Sequence, residues 1–216
     1  MAFTIDAVLT GKAVRYTDTG ERSAIAKTPI DDALAVGFLG LEGDEQADLS
    51  VHGGSDKAIH HYPRDHYGFW QEALDGHALL GAPGAFGENI STLGMSEDEM
   101  CIGDRFRLGT ALVEISQGRQ PCWKLGHRFD IAKVPAMVVQ TRRSGWYYRV
   151  IAPGAVAAGD TLDLVERRYP EWSVSRVFAL LIGGGAKKDP AATRALATLP
   201  PLAETWKARA GKLVGS

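Results

Sequence analysis

Apolar and polar residues alternate through most of the chain, and this pattern gives way to helical spacing near its C-terminal end. Residues 4–9 (Thr-Ile-Asp-Ala-Val-Leu) read as a strand that turns at Gly11, and residues 23–27 as a second strand stopped by Pro29. Residues 99–108 and 111–116 read as a hairpin with Gly109-Thr110 at its turn, and 145–151 and 159–165 supply two further strands. Residues 64–74 put Tyr67, Trp70 and Leu74 on one side of a helix entered through Pro63, and 135–143 fit a shorter helix. Glycines punctuate residues 37–54 and 76–87, so short extended pieces there are joined by loops, where chemistry usually resides.

After Arg167-Arg168-Tyr169-Pro170 the pattern changes. Ser173 is placed to cap a helix in which Val174, Val177, Phe178 and Leu181 fall at i, i+3, i+4 and i+7, and Gly183-Gly184-Gly185 ends it. Helical stretches at 190–199 and 201–210 flank the Pro200-Pro201 break. A β-rich body over residues 1–168 is therefore expected, followed by a small helical module over 169–216.

Composition adds limits. With 45% hydrophobic and 23% charged residues, the 216-residue chain is ordinary globular material, long enough for one large domain with or without an appendage. A formal net charge of −2 argues against general binding of nucleic acid or a membrane surface, and confines any polyanion site to a local pocket. Cys101 and Cys122 make no disulfide framework, and neither a basic leader nor an apolar run of membrane length is present. A cytoplasmic protein in a reducing compartment is expected.

The candidate chemistry begins at Ser116-Gln117-Gly118-Arg119-Gln120-Pro121-Cys122, between the strand at 111–115 and Trp123-Lys124-Leu125-Gly126, which reads as the first turn of a helix. A thiol at such a junction meets free backbone N–H groups and a positive dipole end, with Arg119 and Lys124 close in sequence, all of which favour thiolate. The same position also suits a small buried hydrophobe in a turn. His52, His60, His61 and His66 invite a zinc reading, but no Cys-x-x-Cys or His-Glu-x-x-His accompanies them. As neighbours on a strand, His60 and His61 point to opposite faces, one to a pocket and the other to core or solvent. Glu88 and Asn89 fit turn caps or pocket polar groups equally. Arg142, Arg143 and Arg149 gather about Gly145 and suit phosphate recognition, with a solvated face as the alternative.

Taken in order, Gly43-Asp44, His52-Gly53-Gly54 with Asp56-Lys57-Ala58 and Tyr62-Pro63, Phe86-Gly87-Glu88-Asn89, Ile102-Gly103-Asp104, Ser116-Gln117 to Pro121-Cys122, and Arg142-Arg143-Ser144-Gly145-Trp146-Tyr147-Tyr148-Arg149 resemble the MOSC domain. That family is named for the C-terminal domain of molybdenum cofactor sulfurases. The resemblance runs from the first strand to about residue 166, and the helices beyond it resemble the three-helix appendage of the bacterial hydroxylaminopurine-resistance branch. It implies a mixed β/α fold with a β-barrel-like body and short helices. It further implies a molybdenum–pterin cofactor held through the Cys122 thiolate, a soft ligand suited to a redox metal. Lys57, Arg119, Arg142 and Arg149 become candidates for the pterin phosphate, and Asn89, Ser116, Gln117 and Tyr148 for hydrogen bonds to the pterin.

The implied reaction is two-electron reduction of a small N-hydroxylated substrate, such as a hydroxylaminopurine base, to the amine and water. His60 or His61 would give the proton because imidazole titrates near neutrality, with Glu88 and Asp44 as further candidates. No Gly-x-Gly-x-x-Gly follows an expected strand, so electrons would come from a separate reductase. The C-terminal helices are a docking candidate for it; covering the barrel or forming a homodimer contact are the alternatives. Two non-redox roles compete: Cys122 as a persulfide sulfur carrier, and the whole protein as a carrier that delivers the cofactor.

Overall fold

The computed structural model describes residues 1–47 and 53–215; His52, part of the motif blocks above, lies outside the described residues. Among these, seven strands close into a barrel: β1 (Ala2–Thr10), β2 (Ile59–Pro63), β3 (Ile90–Thr92), β4 (Arg105–Leu108), β5 (Ala111–Gly118), β6 (Trp146–Ala152) and β7 (Thr161–Glu166). Pairing runs β7-β4-β5-β6-β2-β3-β1 and returns from β1 to β7, with Ala2 opposite Asp163 and Thr4 opposite Thr161. Closure satisfies the backbone groups that an open sheet would leave unpaired at its edges. The barrel pairs are antiparallel except β2–β3, where His61 lies opposite Ile90. A parallel pair needs a long crossover, and here it carries α1 (His66–Ala73).

Two expected strands are shorter than the sequence pattern suggests. Within 99–108 only β4 joins the ladder. Asp104 accepts the Cys101 N–H on its carboxylate (2.8 Å), returns its own N–H to the Cys101 carbonyl (3.0 Å) and pairs with Arg167, so 101–104 is a turn. Cys101, expected within a strand, touches Ser173 through a single bridge. Within 23–27 only Ser23 is in a ladder, as part of Arg22–Ser23 paired with Val14–Arg15, while Ala24, Ile25 and Lys27 line a hollow described below.

Two short helices follow β5: α2 (Trp123–Arg128) and α3 (Val134–Thr141). The C-terminal segment forms α4 (Val174–Leu181), α5 (Pro190–Leu196) and α6 (Glu204–Val214). Ser173 caps α4 as expected, its side chain accepting the Arg176 N–H. The last two helices are separated more widely than expected because residues 201–203 are spent on docking: the Pro201 carbonyl accepts from Arg149 and the Ala203 N–H donates to the Ser116 carbonyl. Val177, Phe178, Leu202 and Trp206 share one buried apolar cluster with Ile102, Phe106 and Ile115 of the barrel. Each such side chain contributes about 1.5–3 kcal/mol by leaving water. Gly118 permits the fit, since a side chain there would press on Phe178 and Trp206 at 3.2 Å. Among the described residues no helix is long and apolar enough to cross a membrane.

Candidate functional site

β5 delivers the chain to Cys122, the N-cap residue of α2, whose backbone is extended (φ −127°, ψ 172°) and whose carbonyl accepts the Leu125 N–H. The strand-to-helix junction expected from sequence is present, and the thiol is half-buried. Two hollows meet at it. Lys27, Asp44, His60, Asn89, Arg119 and Lys124 line the first, and Gln117, Trp123, Thr205, Trp206 and Arg209 line the second. Cys122, Lys57, Gln120 and Tyr147 belong to both.

The first hollow is polar and cationic. Asp44 accepts from the Gly11 N–H (2.8 Å), from Asn89 Nδ2 (2.8 Å) and from Lys27 Nζ. Burial pulls the Lys27 pKa below that of an ordinary lysine, with Asp44 opposing the shift. Asn89 is fixed further by accepting the His60 N–H on Oδ1 (3.0 Å) and donating to the Leu9 carbonyl (3.1 Å). Arg119 is only 6% exposed, and no carboxylate among the described residues pairs with it; its positive charge opposes the rise that burial gives the Tyr147 pKa. Its backbone N–H donates to the carbonyl of Gly145 (3.0 Å), a residue at φ +65° where any side chain would collide with the His61 carbonyl. Burial also lowers the Lys57 pKa, partly offset by Asp56.

Strand parity separates the histidines as expected. His60 faces the first hollow across from Tyr147, while His61 turns into the barrel between Tyr148 Oη (3.0 Å from Nδ1) and Thr92 Oγ1 (2.9 Å from Nε2). Burial pushes the His61 pKa down to about 3, and burial reinforced by Arg119 holds His60 well below the usual imidazole range. Both rings are neutral at pH 7, which corrects the expectation of an imidazole acid titrating near neutrality.

Several other candidates serve structure. Fully buried Glu88 accepts the Tyr67 hydroxyl (2.6 Å) and the N–H groups of Gly84 (2.7 Å) and Phe86 (3.0 Å), shaping the turn that presents Asn89. The Ser116 hydroxyl is directed at the carbonyls of Asp56 and Tyr147, away from either hollow. Tyr148 stays in the barrel interior with His61. Arg142 is an exposed left-handed residue (φ 60°) at the end of α3, and Arg149 is engaged by Asp56 and Glu114. Of the four expected phosphate ligands, the structure brings Lys57 and Arg119 to the hollow and leaves Arg142 and Arg149 elsewhere. Sequence reasoning overlooked Lys27 and Tyr147. Parity held the signal for Tyr147: Trp146 and Tyr148 pair with His61 and Ile59 inside the barrel, so Tyr147 shares the His60 face.

The profile of the MOSC domain matches residues 48–163, more than half of the chain. The chain belongs to the MOSC domain family. It is 48% identical over 167 residues to Protein YiiM of Escherichia coli (strain K12), covering 77% of this chain and 74% of that one. The crystal structure of YiiM from Geobacillus stearothermophilus superposes with a TM-score of 0.81 at 33% identity, covering 98% of this chain and 99% of that one. A protein named Reductase from Gibberella moniliformis (strain M3125 / FGSC 7600) is 42% identical over 156 residues, 72% of this chain but 28% of that protein. The MOSC match contains Cys122, Arg119 and Lys57, and ends before Thr205, Trp206 and Arg209. The second hollow is thus built jointly by the MOSC domain and α6.

Proposed function

We propose that this MOSC protein binds a molybdenum–pterin cofactor through the Cys122 thiolate and reduces N-hydroxylated compounds, among them hydroxylaminopurine bases, with electrons from a separate reductase. The observation that carries this is the meeting, in one hollow, of a half-buried thiol and Arg119, a buried guanidinium with no carboxylate partner among the described residues. A buried cation left unpaired is costly, and an anionic phosphate tail would complete it with the bidentate geometry that arginine offers. The donor set fits in a second respect. Among the described residues no three His, Cys, Asp or Glu side chains converge, which suits a metal ligated mainly by its own organic group with one soft thiolate added. The Lys27–Asp44 pair offers further donor and acceptor capacity to a heterocycle, and Asn89, both amide hydrogens committed to Leu9 and Asp44, holds Asp44 in place for it.

When bound, the cofactor supplies the two electrons that, with two protons, convert R–NH–OH to R–NH2 and water. Proton delivery we assign to Lys57 Nζ, which lines both hollows beside Cys122 and whose ammonium is made more acidic by burial. His60, kept neutral, packs on Tyr147 with ring centroids 5.1 Å apart and firms the wall. The separate electron donor is inferred because Gly183-Gly184-Gly185 follows α4 rather than a strand, unlike a dinucleotide-binding turn. The fungal relative's name supports the redox class, and speaks for the whole of a protein of which 28% is matched.

The test is molybdenum and oxidised-pterin content per chain in wild type, Cys122→Ala and Arg119→Ala from a host that makes the cofactor. Near-stoichiometric wild type is expected, with loss in Cys122→Ala and retention about tenfold weaker in Arg119→Ala, the scale of one charge-assisted contact. Loaded wild type should reduce 6-hydroxylaminopurine with an artificial reductant. Cofactor-free wild type after reconstitution would sink the proposal, and a cyanolysable sulfur on Cys122 would then favour the persulfide carrier.

A further inference from the structure

We infer that the second hollow binds the ring of a neutral or anionic planar nitrogen heterocycle and that α6 forms its outer wall, a reading that rests on the reductase function proposed above for the reaction itself. The hollow shares Cys122 and Lys57 with the first, so a molecule lodged in it presents one end to the thiol side of the cofactor pocket. Its walls include flat rings. Trp123 stands 51% exposed at the start of α2 and Tyr147 adds a partly buried ring, surface that stacks on heteroaromatic ligands without demanding one base, while Trp206, only 3% exposed, backs the wall from the core.

Gln117 supplies the polar argument. It is 2% exposed, its Nε2 donates to the Gly118 carbonyl (3.3 Å), and its Oε1 has no partner among the described residues. A buried carbonyl oxygen left unpaired costs stability, and a ring N–H or exocyclic amine is the group that would satisfy it. Charge narrows the class further. Among the described residues lining the hollow, Lys57 and Arg209 are cationic and none is acidic. Arg209 is anchored by donating to the Leu181 carbonyl (2.7 Å) and extends to Gln120 Oε1 (3.5 Å). An N-hydroxylated guanidine, cationic near neutral pH, is disfavoured there, whereas a neutral purine is accepted. The helix beyond the MOSC match then selects substrate, beyond covering the barrel.

Calorimetric titration of 6-hydroxylaminopurine and of N-hydroxyguanidine tests this in wild type, Thr205→Trp, Trp123→Ala and Arg119→Ala, with molybdenum content and melting temperature recorded for each. Thr205 is exposed on the first turn of α6, so the larger ring fills the hollow without entering the core. One base should bind per chain in wild type, about tenfold or more weaker in Thr205→Trp and in Trp123→Ala at unchanged melting temperature and molybdenum content. Arg119→Ala should bind the base normally, and the cationic probe should not bind wild type. In loaded enzyme the same two variants should raise KM for the base with little change in kcat. Equal base affinity in wild type and both variants overturns the site, as does loss confined to Arg119→Ala, and tight binding of the guanidine overturns its charge preference. Wild type that stays without molybdenum after reconstitution and still binds the base in a Thr205-sensitive way would overturn the reductase proposal and uphold this site.

Discussion

The Arg149 guanidinium lies 2.7 Å from Asp56 Oδ1, and the same side chain reaches Glu114 Oε1 (2.8 Å) and the Pro201 carbonyl (2.9 Å). One cation on β6 therefore fastens the turn that carries Lys57 and the chain entering α6, whose Glu204 N–H also donates to Asp56 Oδ2 (3.3 Å). Arg149 couples the walls of both hollows without touching either.

Replacing it with methionine leaves Asp56 and Glu114 without their shared partner. Arg149→Met should lose about 1–3 kcal/mol in urea denaturation, since Asp56 and the Pro201 carbonyl lose their guanidinium while Glu114 keeps Arg105 (2.8 Å). Molybdenum retention should fall with it, through displacement of Lys57. A variant as stable as wild type would refute the coupling.

Arg142 behaves oppositely. Exposed and held at φ 60°, it carries the cost of left-handed backbone with no side-chain partner among the described residues to offset it. Arg142→Gly should raise stability by about 0.5–1 kcal/mol and leave molybdenum content unchanged. Loss of cofactor in this variant would return Arg142 to the phosphate site.

His61 sets an acid limit on the fold. Its folded pKa of about 3 lies below the value of about 6.5 for an exposed imidazole, so the unfolded chain takes up a proton first as pH falls. The stabilisation is complete above about pH 6.5 and declines by about 1.4 kcal/mol per pH unit down towards 3. His60, also held neutral, steepens the decline. Denaturant midpoints at pH 7 and 4.5 should converge in His61→Gln relative to wild type; an unchanged gap would show that other groups set the limit.

Lys57 should leave a mark on the rate. The protonated amine is the active form, so turnover should fall as pH rises through a pKa lower than the 10.5 of a free lysine. Lys57→Arg keeps the charge and the cofactor but releases no proton in that range. Its kcat should drop about a hundredfold and the alkaline limb should vanish. An unchanged profile at equal molybdenum content would move the proton source elsewhere.

The strand-to-helix junction at Cys122 was legible because local signals agree around it: an alternating strand before, a helix start after, and Pro121 fixing the approach. The split between His60 and His61 followed from parity alone. Parity applied to the next strand would have chosen Tyr147 over Tyr148 as well. Arginine roles were not legible, since a guanidinium is defined by what the register sets opposite it, and Arg149 finds Glu114 through the β5–β6 pairing. Lys27 and Asp44 sit in separate loops and meet only in the folded chain. The linker at 201–203 kept helical-looking residues out of a helix because their backbone groups are claimed by Arg149 and Ser116.

The seam where Ala2–Thr10 meets Thr161–Glu166 also governs assembly. Until residues 161–163 have been synthesised, Ala2, Phe3 and Thr4 have no partner on the edge where only Leu9 and Thr10 are covered by Pro29 and Thr28, and an unpaired edge invites pairing with other chains. Joining ends so distant in sequence is a slow, high-contact-order event. Both the nascent protein and any truncation before β7 are therefore exposed to aggregation, and expression yield should respond to chaperone supply more than to changes in the hollows.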